Sequence, residues 1–282
     1  MVGKVNRDDV LKANVYIHSS LIELYDDQPH FRSENKEKVS RILEALKARV
    51  APIVEGKSRL LDMGCGTGFL LSLAQPLFDQ LDGVDITPAM LAKIDLSSGR
   101  IKLHCGQAEN TPFEDATFDL VTAYSFMDHL YDLEPFLKEV FRVLKPGGVF
   151  YADQNANRAF WETLGKLEGP LEGYSAIVAR EMTAGLRSEE EFAKKRNIDT
   201  ESFRIAEYIK TQENGIDAQT VVDLARKIGF RECAVQYDWY LGQGKVMHTQ
   251  SFEEARTIEA YLHEVAPLSN HLFKYLRFDL LK

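Results

Sequence analysis

The segment RLLDMGCGTGFLLSLAQ, Arg59 to Gln75, limits what this chain can fold into more than any other stretch. An apolar run enters a patch with glycine at every second position, Gly64, Gly66 and Gly68, and leaves as a second apolar run. A strand that turns sharply into a helix while a ligand approaches its backbone needs residues without Cβ at such places. An ordinary tight turn explains one of these glycines more readily than all three.

Two ligand classes use a junction of this kind. A dinucleotide site takes GxGxxG and seats a pyrophosphate at the helix N-terminus. Here the third glycine falls one position early, and Phe69 stands in its place. Asp62, just before the loop, would repel a pyrophosphate but could hold a cationic amino group through a hydrogen bond or a water. The loop therefore suits a zwitterionic ligand. Asp85 ends the apolar segment QLDGVDI, where an acid accepts hydrogen bonds from a ribose hydroxyl pair. Its alternative role is to cap the helix expected from Pro88, although Thr87 is better placed for that. A ribose, a positive end and no phosphate together describe S-adenosylmethionine.

Around the loop, short apolar segments alternate with helical ones, which predicts a parallel sheet covered by helices on both faces. In KPGG, after FRVL, proline stops a helix and the glycines allow reversal into the next strand. Two amphipathic helices precede the first strand and read as an N-terminal cap over 1–57. The core is expected over 58–157. The charged stretch 158–214 is too long for a connection in a compact domain and reads as an inserted helical lid. The sheet is completed over 215–250, with RECAVQYDWY as a strand and GKVMHTQ as its hairpin partner, and a helical tail follows over 251–282. The end of that tail, HLFKYLRFDLLK, reads as an amphipathic helix packed on the lid or touching a membrane surface or partner.

The chain has 282 residues and a formal net charge of −9. With no dense lysine/arginine cluster, a nucleic-acid partner is not expected and a small molecule is. No apolar run of membrane-spanning length and no signal-like N-terminus is present, so the expectation is a cytoplasmic protein without stable membrane insertion. Cys65, Cys105 and Cys233 show no CxxC spacing and read as reduced thiols. The histidines show no HxxxH pattern, so no metal site is expected.

In order and spacing, LLDMGCGTG, GVDITPAMLAK, CGQAENTPFEDATFDLV and LKEVFRVLKPGG resemble the class I S-adenosylmethionine-dependent methyltransferases, nearest to the ubiquinone/menaquinone-type methylases. The resemblance covers Arg59 to Asp153, about a third of the chain. It implies an α/β fold with a Rossmann-like, mostly parallel seven-stranded sheet ending in a reversed hairpin. It also implies that Asp62 and the loop with Gly64, Cys65, Gly66 and Gly68 contact the methionine part, Asp85 the ribose and Ile86 the adenine. Gln107 stands where members often carry an aspartate that accepts from the adenine amino group. Its amide oxygen would do the same more weakly, and Ala108 and Glu109 would complete that wall.

Methyl transfer from a sulfonium needs alignment and exclusion of water, with a base only where the acceptor must lose a proton. Tyr124, Ser125, Asp128 and His129 follow the strand FDLVTAYS, whose tip in the family faces cofactor and acceptor. His129 could act as a general base oriented by a neighbouring carboxylate; the alternatives are that it packs or touches cofactor and that Asp128 caps a helix. Tyr16, His18, Tyr25 and His30 lie in the cap, where an aromatic ring such as Tyr16 could attract the sulfonium, or simply pack. Asp153, Gln154, Asn155 and Asn157 form a polar cluster that serves either the acceptor or a turn. Phe160, Trp161, Tyr174 and Met182 would line an acceptor pocket or form the lid's own core. A possible base favours an oxygen or nitrogen acceptor over carbon. The rival readings are a cofactor-binding module without catalysis and a nicotinamide-dependent oxidoreductase.

Overall fold

A computed structural model describes residues 5–24, 33–50, 57–166 and 173–282. Tyr25 and His30 lie outside the described residues. In chain order the elements are α1 (Arg7–Leu21), α2 (Ser33–Arg49), β1 (Arg59–Met63), α3 (Phe69–Ala74), β2 (Gln80–Asp85), α4 (Pro88–Leu91), β3 (Ile101–Cys105) and β4 (Phe118–Tyr124). After a 3-10 turn at Met127–His129 come α5 (Leu133–Val143), β5 (Leu144–Ala156), α6 (Arg158–Gly165), α7 (Ala176–Lys195), α8 (Thr200–Ala206) and α9 (Tyr208–Gln212). The chain closes with α10 (Ala218–Ile228), β6 (Glu232–Tyr240), α11 (Gln243–Thr249), α12 (Phe252–Glu264) and β7 (Phe273–Leu281).

The strands form one seven-stranded sheet in the order β3-β2-β1-β4-β5-β7-β6. β3 to β5 run parallel, and β7 lies antiparallel between β5 and β6. Every residue of FDLVTAY in β4 is buried, as expected of a central parallel strand covered on both faces. On one face Val121, Ala123, Phe150 and Phe278 pack under α5 and α10. On the other, Leu60, Leu120 and Tyr151 meet Val39, Leu43 and Leu71 of α2 and α3. Strand order reverses at the β1/β4 boundary, the place where open α/β sheets leave a crevice at the carboxyl ends of their strands.

The C-terminal region corrects two expectations. GKVMHTQ forms α11 rather than a hairpin strand. The partner of β6 is β7, drawn from the tail expected to be helical. Phe278 and Leu280 are fully buried and alternate with the half-buried Arg277 and Asp279, a period of two that a short basic-apolar run shares loosely with an amphipathic helix. The helical part of the tail ends at Glu264. The first two helices also part company. α2 belongs to the sheet's own covering layer, whereas Ala13, Ile17 and Leu21 of α1 pack with Ala193, Ile198, Phe203 and Ala206 of the lid. Phe160 and Met182 make a separate small core with Trp161, and Tyr174 is exposed.

Candidate functional site

A cleft of about 680 Å³ opens at the carboxyl ends of β1, β2 and β4 and is roofed by α1. Its floor is the glycine loop. Gly64 and Gly66 line it with φ of +72° and +51°, values that side-chain-bearing residues rarely adopt. A Cβ on Gly64 would lie 1.9 Å from the Phe126 ring, itself part of the wall. Gly68, at φ +87°, starts α3 and stands behind the loop against Ile94. Cys65 is buried and donates its N–H to Val84 O, which ties the loop to β2.

Asp85 lines the cleft between two backbone donors. Its Oδ2 accepts from the Gly66 N–H at 3.0 Å and its Oδ1 from the Thr87 N–H at 2.8 Å. Thr87 occupies the N-cap position of α4, yet its side chain makes no capping bond. Burial pushes the Asp85 pKa up, and the two backbone bonds oppose that shift. Each oxygen keeps acceptor capacity for a hydroxyl pair.

Asp62 is placed differently from expectation. It is buried behind the loop, off the cleft wall, and accepts from Thr122 Oγ1 at 2.7 Å across the β1/β4 pairing. Burial raises its pKa to about 7, with the Asp85 charge adding to the rise.

One wall of the cleft holds Ile86, Met90, Ala108 and Glu109. Gln107 stands just outside it, and its Oε1 accepts from Arg7 at 2.7 Å, with Glu109 Oε1 at 3.2 Å from the same nitrogen. Arg7 is the only lysine or arginine among the described lining residues. Its guanidinium is engaged by an amide and a carboxylate.

At the opposite end, His129 lines the cleft. Its Nδ1 lies 3.0 Å from Ala206 O. A carbonyl only accepts, so Nδ1 carries a proton, and in the neutral imidazole the lone pair falls on Nε2. The orienting group is therefore this carbonyl, and the carboxylate expected in that role is elsewhere. Asp128 is buried and accepts the Ala156 N–H at 3.1 and 3.2 Å, so it neither caps a helix nor lines the cleft. Burial raises its pKa to about 6. Tyr124 points to the other face of the sheet, where its ring meets Phe69 at 4.8 Å. Tyr16 is half exposed and off the cleft.

The polar cluster at the end of β5 makes structural contacts. Asp153 accepts from Tyr151 Oη at 2.8 Å and from the Gln154 N–H at 2.7 Å. The Asn155 amide donates to Leu276 O, and the Asn157 amide to Asn270 O and Phe273 O. The wall residues that sequence reasoning missed are mostly on α1. Arg7, Leu11 and Asn14 share one helical stripe facing the cleft with His18, which the sequence had placed in the cap. The His18 ring meets His129 edge-on at 4.9 Å, and burial, aided by His129, lowers its pKa to about 3. The signal was present in the spacing, and the neighbouring stripe of Ala13, Ile17 and Leu21 is the more apolar and is buried against the lid.

The residues fit S-adenosylmethionine. A pinned carboxylate, an apolar wall and a Cβ-free floor match its ribose, adenine and methionine parts. The methyltransferase domain family matches residues 61–152. A demethylmenaquinone methyltransferase of Chlorobaculum parvum is 37% identical over 45% of this chain and 53% of its own length. A sterol 4-C-methyltransferase of Caenorhabditis elegans is 32% identical over 40% of this chain and 36% of its own. The chain thus spans about half or less of the length of these relatives. A solved S-adenosylmethionine-dependent methyltransferase of Archaeoglobus fulgidus shares the fold, with TM-score 0.54, 15% identity and coverage of 93% of this chain and 99% of that one. The chain therefore has the fold of solved S-adenosylmethionine-dependent methyltransferases, and its residues 61–152 match the methyltransferase domain family and are similar to the menaquinone-type methylases.

Proposed function

We propose that this protein transfers a methyl group from S-adenosylmethionine to a small-molecule acceptor. The observation that carries this reading is Asp85, held by the Gly66 and Thr87 N–H groups at the strand-order switch beside the glycine floor. When bound there, S-adenosylmethionine supplies an activated methyl on a sulfonium. Asp85 holds the ribose hydroxyls, Ile86 and Ala108 enclose the adenine, and Gly64 and Gly66 let the methionine part lie against backbone. α1 excludes water from above.

His129 takes the acceptor's proton at Nε2, since its Nδ1–H is committed to Ala206 O. That arrangement favours an oxygen or nitrogen acceptor. Similarity to a sterol 4-C-methyltransferase keeps a carbon acceptor as the reading to test against it. The acidic chain, at net charge −9, suits a small molecule better than a nucleic acid. The three free thiols suit a reducing, cytoplasmic setting.

Calorimetric titration with S-adenosylmethionine, S-adenosylhomocysteine and NADH, repeated with Asp85→Ala, tests the cofactor. Micromolar binding of the first two, lost in the variant, is expected; binding of NADH alone would overturn the reading. Product formation with oxygen or nitrogen acceptors, reduced about a hundredfold or more in His129→Ala, is expected of a general base. Cofactor binding with no turnover across acceptor classes would make the protein a binding module.

A further inference from the structure

We propose that Arg7 is a positioning residue that latches α1 and the lid helix α8 over the cofactor cleft as one clamp, so that filling the cleft closes the lid. The inference rests on the cleft being the S-adenosylmethionine site.

The distribution of apolar and polar contacts supports it. The apolar stripe of α1 is buried against the lid, where Ile17 and Leu21 meet Phe203 and Ala206. Apolar burial of this kind holds two helices together whatever they rest on. Among the described residues, the ties between this pair and the sheet domain include polar ones, beside the packing of α1 on α4. Arg7 reaches Gln107 and Glu109 at one end of the cleft. At the other end Asn14 Nδ2 donates to His129 O at 3.2 Å, and His129 Nδ1 donates to Ala206 O at the end of α8. Beyond Ala206 the chain is anchored differently, because Ile209 of α9 belongs to the core of the sheet. Glu207, which separates the two helices, is the pivot.

Arg7 is half exposed while the Glu109 carboxylate is largely buried, so solvent and salt screen the tie from the arginine side. That is what a latch requires: enough to bias closure and too little to prevent opening. The latch also bears on chemistry, since the same clamp carries the Ala206 carbonyl that sets the His129 proton.

Hydrogen exchange of the full-length chain, with and without S-adenosylhomocysteine, tests the proposal. The ligand is expected to slow exchange in 7–21 and 200–206 together in the wild type. Arg7→Ala is expected to melt like the wild type, weaken ligand binding about tenfold and lose the protection of 200–206, with Arg7→Lys recovering part of both. Raising salt should weaken binding in the wild type more than in Arg7→Ala. Phe203→Ala should leave 7–21 protected by ligand while 200–206 is not. Ligand binding that protects 7–21 but leaves 200–206 unchanged in the wild type overturns the clamp alone. No binding by the wild type in the companion calorimetry overturns the cofactor reading and the clamp with it.

Discussion

Asp62→Asn separates two consequences of burying a carboxylate behind the glycine loop. Asp62 is 2% exposed, and its pKa rises from 3.8 unfolded to about 7 folded. The folded state therefore binds the proton more tightly, and stability is lost as pH rises from the unfolded value through the folded one. Between about pH 5 and pH 8 the unfolded chain is already ionised while the folded chain gives up its proton near 7. Two pH units at about 1.4 kcal/mol each make a loss of about 3 kcal/mol for the wild type. Asparagine keeps the shape, and its Oδ1 can still accept from Thr122 Oγ1. Its buried amide hydrogens carry a cost, but the cost is the same at both pH values and cancels. Urea unfolding of both proteins at the two pH values should show the variant gaining about 3 kcal/mol on the wild type at the higher pH. A stability difference that does not change with pH would refute the argument that Asp62 titrates in the folded protein.

Gly64→Ala must place a Cβ 1.9 Å from the Phe126 ring at φ +72°. It is expected to cost about 2 kcal/mol or more in denaturant unfolding and to weaken S-adenosylhomocysteine binding, because Phe126 forms part of the cleft wall; a change within about 0.5 kcal/mol would contradict the loop geometry. Phe278→Ala in β7 removes a fully buried ring and should cost about 3–5 kcal/mol. His248→Ala, exposed on α11, should stay within about 0.5 kcal/mol, and the reverse ranking would undo the strand assignment.

Much of the site was legible before the structure because its signals are local. Three glycines at alternate positions dictate a turn only such residues can make, and Asp85 at a strand tip follows from the strand itself. The failures share another cause. Asp62, Tyr124 and Asp128 sit within a few residues of the cleft in sequence, yet Asp62 is tucked behind the loop, Tyr124 lies on the opposite face, and Asp128 holds the β5 backbone. A strand turns successive side chains to opposite faces, so one residue of register decides whether a group meets ligand or helix.

The amino-acid sequence by itself therefore determined the parallel α/β core, the glycine turn and the acid beside it, since each depends on spacing within a few residues. Tertiary structure alone decided that the last apolar segment enters the sheet as β7. Its period of two is short enough to read as a helix until β5 and β6 present unpaired edges on either side. Tertiary structure also sent the α1 stripe to the lid rather than to the sheet, because the partner that buries Ile17 and Leu21 lies nearly two hundred residues away in the chain. A stripe's spacing shows that it will be buried, and only the assembled fold shows against what.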